Sequence, residues 1–378
     1  MALSKDPAAR RRLGALAATA VAALGVGAAV GATGGDEPPP SAPPRTQPAR
    51  RDASPPAPPR LTVTQLAGQA VILRFAGTTA PAYVRRALRR KRVAGVILFR
   101  DNVPTAASTR RLTRSLQRAA GGRALICTDQ EGGDIRVLAY APPENGQATM
   151  TTPTAVAAAS RAAARALRRA GINVSLAPVV DVGGPGQLMR GRAFPGDPAD
   201  VARAAAAAVR AYRGTGVAPT VKHFPGLGAT DANTDDAAVT IERSARDIGA
   251  SDLPPFKAAI AAGAPIVMTS HARYSALDAG AVASQSRTIS TDLLRGRLGF
   301  RGVVMTDSLE AEAVSGQMDP GEAAVRSVRA GADLVLTTGR GSYLPALRAL
   351  AREARRDPDF RARLREAVAR VEALRDSL

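Results

Sequence analysis

The chain has 378 residues, of which 45% are apolar, so it can hold one large domain or two ordinary ones and is not disordered throughout. Aromatic residues make up only 3%, so a core of Ala, Val, Leu and Ile is expected, which favours helices packed on buried strands over a β-sandwich. The net charge is +20, but no aromatic residues are interleaved with the basic ones, so nucleic-acid binding is not expected.

The first 35 residues predict export from the cytoplasm. Arginines at positions 10–12 precede a charge-free apolar stretch from Leu13 to Thr33, which is long enough to cross a bilayer. Residues 30–32, Val-Gly-Ala, also offer small residues at which a signal peptidase could cut. Residues 1–35 are therefore interpreted as either a cleaved signal peptide or a membrane anchor, with the remainder of the chain extracytoplasmic, secreted or membrane-anchored.

Residues 36–60 are proline-rich and predict an extended, disordered linker. The folded domain is therefore expected to span 61–378. Its single cysteine, Cys127, excludes an intrachain disulfide and lies in an apolar run that predicts a buried strand.

Eight short apolar runs recur after residue 60, bounded by Gly, Pro or polar residues. Most are rich in β-branched residues, which is typical of strands buried on both faces. The predicted strands are 70–75, 93–99, 124–128, 172–177, 217–222, 265–269, 302–306 and 332–337.

Amphipathic stretches lie between these runs, for example 106–120, 156–170, 199–213 and 321–330. Eight repeats of strand and helix predict an α/β fold, a (β/α)8 TIM-type barrel. A doubly wound sheet is the alternative, but no Gly-x-Gly-x-x-Gly turn follows the first run, which counts against it.

Polar residues follow or end four of the predicted strands. Asp129 follows the third run, Lys222 and His223 end the fifth, His271 follows the sixth and Asp307 follows the seventh. Singly, each could be a capping or core residue. Because the carboxyl ends of barrel strands meet at one rim, their convergence favours a polar pocket there.

The residue types in this pocket favour carbohydrate chemistry. No P-loop, His-x-x-x-His or Cys-x-x-Cys pattern is present, so neither a metal nor a cofactor is predicted, although a metal held by His223, His271 and Asp307 stays an alternative. Carboxylates with cationic and hydroxyl neighbours suit a polyhydroxylated substrate and an oxocarbenium-like transition state. Asp307, a short carboxylate at the end of a buried strand, is the predicted nucleophile.

Segment 222–228 reads Lys-His-Phe-Pro-Gly-Leu-Gly and resembles the Lys-His-Phe-Pro-Gly-His-Gly signature of the glycoside hydrolase family 3 catalytic domain. The likeness is greatest to its single-domain bacterial β-N-acetylhexosaminidases and extends in register over about 61–375. The further segments that carry it are 129–133, 173–182, 192–198 and 302–309.

The resemblance implies a retaining mechanism in which Asp307 attacks the anomeric carbon. It also implies that Asp129, Arg192, Lys222 and His223 hold the sugar hydroxyls, with Arg192 assigned on this ground alone. The implied substrates are β-linked saccharides that contain N-acetylglucosamine, as in cell walls.

This chain departs from the family pattern at three places. Where the family carries an Asp-Ser-His triplet with the acid/base histidine, this chain has Asn233-Thr234-Asp235. Leu227 replaces the second histidine of the signature. The family's Gly-Gly-Arg-Val-x-Arg becomes 132–137, which reads Gly-Gly-Asp-Ile-Arg-Val and leaves Arg136 as an approximate substitute.

The departures leave two interpretations of Asp235. Desolvation by a closed loop, or repulsion by Asp236 and Asp307, would raise its pKa and make it the acid/base, about 5 to 5.5 Å from the nucleophile. Alternatively, 233–236 is only a polar turn.

Three functions from different classes therefore remain open. The first is an exported retaining β-glycosidase, with N-acetylglucosaminidase or β-glucosidase specificity. The second is a catalytically degenerate barrel that binds envelope glycan. The third is a protein that binds anionic polymers or membranes through the charge of +16 beyond residue 60. We expect a monomer whose partner is a saccharide, and membrane contact through an uncleaved N-terminal segment.

Overall fold

The computed structural model describes residues 61–184 and 187–378. These residues belong to one compact unit. The signal or anchor segment at 1–35 and the linker at 36–60 lie outside the described residues, so both stay predictions.

Eight parallel strands close into a barrel in which each strand pairs with the next and the last pairs with the first. The eight-strand prediction and the TIM-type barrel are therefore confirmed. The strands are β1 (Val71–Arg74), β2 (Gly95–Ile97), β3 (Leu125–Thr128), β4 (Val174–Ser175), β5 (Ala218–Phe224), β6 (Ile266–Thr269), β7 (Val303–Ser308) and β8 (Leu334–Leu336).

One helix follows each barrel strand, and the four helices named from the sequence are among them. In chain order they are Ala82–Arg89, Ala106–Ala119, Pro153–Ala170, Pro198–Tyr212, Leu253–Ala261, the wide π-type helix Thr288–Arg297, Pro320–Ala330 and Tyr343–Arg356. Val63–Gly68 precedes the barrel and Pro358–Asp376 ends it.

Short elements occupy the loops. The three-residue helix Ala245–Asp247 and the π turn Ile248–Asp252 lead into Leu253–Ala261, and Glu312–Ser315 follows β7. Small strands are Gln130–Gly132, Ile135–Arg136, Thr240–Ile241, Arg273–Tyr274 and Asp278–Val282. Single 3-10 turns cover Arg100–Asn102, Gln147–Thr149, Leu188–Gly191 and Ala283–Gln285.

Local chemistry sets where the helices begin. The Thr152 hydroxyl accepts a hydrogen bond from the Ala155 N–H, and Pro153 occupies the first helical position, where its missing N–H costs nothing. Asp197 caps the next helix in the same way by accepting from Asp200. Each such cap contributes about 1 kcal/mol.

The core has an inner and an outer layer. Inside the barrel, Ile72, Leu125, Cys127 and Met305 pack against one another and are fully buried. Between strands and helices, Ala, Val and Leu side chains fill two larger clusters. Each fully buried Val, Leu or Ile contributes about 1.5 to 3 kcal/mol to the free energy of folding, so both layers stabilise the barrel.

None of the helices within 61–184 and 187–378 is long and apolar enough to cross a membrane.

Candidate active site

A cavity of about 440 Å³ opens where the carboxyl ends of the barrel strands meet. Six of the eight side chains that the sequence singled out line it, namely Asp129, Arg192, Lys222, His223, Asp235 and Asp307. The rim of the barrel thus brings together side chains that are up to 178 positions apart in the chain.

Lys222 lies at the end of β5 and binds two carboxylates. Its Nζ is 2.8 Å from Oδ1 of Asp129 and 2.7 Å from Oε1 of Glu131, and its side chain is only 3% exposed. Burial opposes the charge of the lysine, but the two carboxylates outweigh it, so the pKa of Lys222 lies above its ordinary value. Lys222 is therefore a fixed cation that holds Asp129 at the cavity wall.

Glu131 joins Lys222 to Arg192 beneath the cavity floor. The Arg192 guanidinium donates from Nε and Nη2 to the two oxygens of Glu131, at 3.0 and 2.8 Å. Burial would raise the pKa of Glu131, but the charges of Lys222 and Arg192 lower it to about 2. Because this paired geometry fixes the plane of the guanidinium, Arg192 is held with its remaining donors beside the cavity.

His223 is oriented by a carboxylate that the sequence reasoning did not single out. Oδ2 of Asp181 lies 2.8 Å from Nδ1 of His223, and Oδ1 accepts from the backbone N–H groups of His223 and Leu227. Asp181 is fully buried. With Nδ1 bound to this carboxylate, Nε2 is the nitrogen left for the cavity.

Asp307 lies at the end of β7 with its side chain 22% exposed to the cavity. Its Oδ2 is 3.9 Å from Nε2 of His223, and Oδ1 accepts from the Ser308 N–H at 2.8 Å. Burial opposes ionisation, but His223, His271 and Lys222 outweigh it, so the pKa of Asp307 is below its ordinary value. At neutral pH Asp307 is an ionised carboxylate.

His271 lies behind Asp307 and not among the residues that line the cavity. Its side chain is fully buried, and Nδ1 is 2.7 Å from the Ser284 hydroxyl. Burial lowers the pKa of His271, so the ring is neutral at neutral pH.

Arg136 also lies away from the cavity lining. It sits in the two-residue strand Ile135–Arg136, which pairs with Gln130–Gly132. In this hairpin Ile135 is the residue that faces the cavity.

Asp235 lines the same cavity as Asp307 and lies on the loop that follows β5. The Asn233 side-chain oxygen accepts from the Asp235 N–H at 3.1 Å. Backbone N–H groups of Glu312 and Ala313 donate to the carbonyls of Asp235 and Thr234. Burial, and then the charge of Asp307, raise the pKa of Asp235 above its ordinary value. The loop thus places a carboxyl group whose pKa is raised in the same cavity as one whose pKa is lowered.

Glu310 is another cavity residue that the sequence reasoning missed. Its Oε2 accepts from the Ser308 hydroxyl and from the Thr338 N–H, at 2.9 and 2.7 Å. These contacts join the loops after β7 and β8. The signal in the sequence was that polar residues continue beyond Asp307, at Ser308 and Glu310, with only Leu309 between them.

No group of three or more His, Cys, Asp or Glu side chains is arranged to hold a metal ion in the described ranges, which omit 1–60 and 185–186. The basic side chains at the site already pair with carboxylates. The arrangement therefore offers a carboxylate whose pKa is lowered, a carboxyl group whose pKa is raised, and charged side chains that can bind hydroxyl groups, around one small cavity.

A family model described as the glycosyl hydrolase family 3 N-terminal domain matches residues 62–374. The chain is 36% identical over 282 residues to a β-hexosaminidase of Xanthomonas oryzae pv. oryzae, which covers 70% of this chain and 82% of that protein. It is 35% identical over 289 residues to an uncharacterized secreted glycosyl hydrolase of Arthroderma benhamiae, which covers 73% of this chain and 82% of the relative.

The structure is similar to that of a family 3 β-N-acetylglucosaminidase from Paenibacillus sp. str. FPU-7, with a TM-score of 0.79 and 34% identity. The match covers 84% of this chain and 63% of the Paenibacillus chain. The chain therefore spans less than two thirds of the length of that solved relative.

Proposed function

The chain belongs to glycosyl hydrolase family 3, and from this premise we propose that it cleaves terminal β-linked N-acetylglucosamine from saccharides of the cell-wall type. The observation that carries the proposal is a cavity lined by both Asp307, whose pKa is lowered, and Asp235, whose pKa is raised. The names of the Xanthomonas and Paenibacillus relatives support the choice of sugar.

In the first step Asp307 attacks the anomeric carbon. The new Asp307–carbon bond forms as the bond to the leaving oxygen breaks, which gives a covalent glycosyl–enzyme ester. The lowered pKa of Asp307 keeps it ionised for this attack. The Ser308 N–H, which donates to Oδ1, leaves Oδ2 as the attacking oxygen.

Asp235 transfers the protons. Its carboxyl group gives a proton to the leaving oxygen, and the resulting carboxylate then takes one from the water that hydrolyses the ester. The family's histidine does this work from the same loop, whereas here we assign it to Asp235, whose raised pKa favours the protonated form.

The remaining charged side chains hold the sugar. The carboxylate of Asp129, fixed by Lys222, accepts from sugar hydroxyls, and Arg192 donates to sugar oxygens. Because Nδ1 of His223 donates to Asp181, Nε2 of the neutral ring accepts from a sugar hydroxyl. His271 acts from behind as a neutral support for Asp307, and Arg136 is a peripheral candidate at most.

Export is part of the proposal. The apolar stretch 13–33 and the name of the secreted Arthroderma relative support a location outside the cytoplasm. Cell-wall fragments are present there.

The test is turnover of aryl β-N-acetylglucosaminide and aryl β-glucoside substrates by the full chain. We expect faster hydrolysis of the N-acetylglucosaminide and loss of at least about 10³-fold activity in Asp307→Asn. A fluorinated sugar that slows the second step should leave one sugar attached to wild-type protein, with the mass increase located at Asp307. Unchanged turnover in Asp307→Asn would contradict the proposed mechanism.

A binding-only barrel is the second candidate, because the loop that carries the family's acid/base histidine has none in this chain. It predicts sugar binding without turnover and equal affinity in Asp235→Ala. Calorimetric titration with N-acetylglucosamine separates this outcome from catalysis.

A further inference from the structure

Charge is distributed unevenly around the barrel. Residues 61–184 contain eighteen basic and six acidic residues, a net charge of +12, whereas 187–378 contain twenty-six basic and twenty-two acidic residues, a net charge of +4. Three of the six acidic residues in the first range, Asp129, Glu131 and Asp181, belong to the candidate active site. The positive excess therefore lies on the outer surface of the first half of the barrel.

Three consecutive outer helices carry this excess, and we call their exposed surface the cationic face. They are Ala82–Arg89, Ala106–Ala119 and Pro153–Ala170, which pack side by side. None of them contains an acidic residue. Exposed side chains on the face include Arg86, Arg89, Arg110, Arg114, Arg161 and Arg165.

Folding alone does not account for this arrangement. Arg110, Arg114 and Arg118 are spaced four residues apart, so like charges face each other on the helix, which destabilises it. None of the three forms an ion pair with any residue that the structure describes. On the helix Pro320–Ala330, by contrast, Arg326 has Glu322 as a partner at 2.5 Å. A partner that brings negative charge would offset the repulsion on the cationic face.

Two exposed tyrosines flank the same face. Tyr83 on Ala82–Arg89 and Tyr140 are each 42% exposed, and the Tyr140 hydroxyl donates to Thr109 on the neighbouring helix. Tyrosine rings with one apolar and one polar end prefer the interface between a bilayer and water. This combination of arginine and tyrosine favours lipid over a wholly hydrophilic polymer.

The chain before residue 61 supplies a second argument for lipid. Residues 13–33 are apolar and free of charge, and residues 34–60 separate them from the barrel. A stretch of 27 residues reaches at most about 100 Å. A barrel tethered by the apolar stretch therefore stays close enough to a bilayer for its cationic face to reach the surface.

We propose that the cationic face docks on a bilayer that contains anionic phospholipids. The arginines contact the headgroup phosphates, and Tyr83 and Tyr140 lie at the interface. The proposal goes beyond the glycosidase function and does not depend on it, because no residue of the cavity takes part.

The experiment uses the full chain with a reporter on the face. Cys127, the single cysteine, is buried, and burial raises the pKa of its thiol, so an exposed cysteine can be labelled selectively. Ala107→Cys places a fluorophore on the cationic face, and Thr288→Cys places one on the sixth barrel helix, across the barrel. Vesicles of phosphatidylcholine, with or without about one third phosphatidylglycerol, contain a quencher lipid.

We expect phosphatidylglycerol to increase quenching at Ala107→Cys but not at Thr288→Cys, and added salt to reverse it. Arg110→Glu/Arg114→Glu/Arg118→Glu should lower the ratio of docked to free protein by at least about tenfold. The control Arg287→Glu/Arg297→Glu/Arg301→Glu changes net charge equally and should change the ratio by less than about twofold, with circular dichroism confirming the fold of both variants.

Equal losses in the two triple variants, or equal quenching at both label positions, would assign binding to net charge or to the apolar stretch and overturn the proposal. Protection of the Ala107 label by soluble polyphosphate, with no response to anionic vesicles, would assign the face to a polymer and overturn it as well.

Discussion

Asp181 and His223 are hydrogen bonded at 2.8 Å in the wall of the cavity, and His223 Nε2 lies 3.9 Å from Asp307 on its other side. A buried carboxylate thus fixes which histidine nitrogen faces the candidate nucleophile. Asp181 touches neither the cavity nor Asp307, so it acts through His223 as a positioning residue.

Asp181→Asn should lower kcat/KM by about 10- to 100-fold, because an amide nitrogen would face Nδ1 and favour the other tautomer. The same kinetics measured for His223→Gln and for the double variant Asp181→Asn/His223→Gln complete a double-mutant cycle. If Asp181 acts through the histidine, the double variant is no slower than His223→Gln alone. Losses that multiply would contradict this role, and a melting temperature for each variant separates it from misfolding.

Asp235→Asn should slow hydrolysis most for substrates whose leaving group must be protonated to depart. We expect a loss of about 10²- to 10⁴-fold for a disaccharide and a much smaller loss for a dinitrophenyl glycoside, whose leaving group departs unprotonated. The adjacent Asp236→Asn is the matched control and should keep nearly full activity on both. Equal losses on the two substrates would argue that 233–236 is only a turn.

The pH dependence of kcat/KM should be bell-shaped. Activity is lost as pH falls through the lowered pKa of Asp307, which must be ionised, and as pH rises through the raised pKa of Asp235, which must be protonated. Asp235→Asn should remove the high-pH limb and leave the low-pH limb in place. A high-pH limb that persists in this variant would identify another group as the acid.

Arg192→Ala should raise KM by about 10- to 100-fold, since it removes charged donors from the cavity and releases Glu131. Arg136→Ala, which removes an arginine outside the cavity lining, should change KM by less than about threefold. Initial-rate kinetics on one aryl N-acetylglucosaminide compare the two. A larger increase in KM for Arg136→Ala than for Arg192→Ala would assign sugar binding to Arg136 instead of Arg192.

Glu131 should stabilise the fold above pH 4.5 and not at pH 2. Its pKa is about 2 in the folded protein and about 4.3 in an unfolded chain, so the contribution is present above the unfolded value and lost as pH falls towards 2. The full contribution is about 3 kcal/mol. Thermal unfolding of wild type and Glu131→Gln should differ at pH 7 and converge near pH 2, and a constant difference would rule this out.

The barrel could be predicted because its signals are local. Buried parallel strands have apolar runs that need no partner to be identified, and polar residues at their ends fall on one rim whatever the strand order. The fold and the positions of Asp129, Lys222, His223 and Asp307 followed from this rule. Arg192 and Asp235, which lie on loops, needed the family resemblance.

Glu131 and Asp181 could not be found in the same way. Both lie in segments that the family resemblance included, but their roles depend on which side chain each one contacts on another strand or loop. Contacts between residues that are 40 or more positions apart produce no recognisable spacing pattern in the sequence. The placement of Arg136 shows the converse, because similarity of sequence put it near the site and the turn of the hairpin took it out of the lining.

The loop that carries Asp235 is hydrogen bonded through its backbone to Glu312 and Ala313, which follow the strand of Asp307. Because these two bonds involve only the backbone of the loop, they do not depend on the side chain at position 235. The loop can in this sense carry different side chains at position 235. If Asp235 has the role proposed above, evolution or design can replace one proton donor with another at this position and change the pH range of activity by a single substitution.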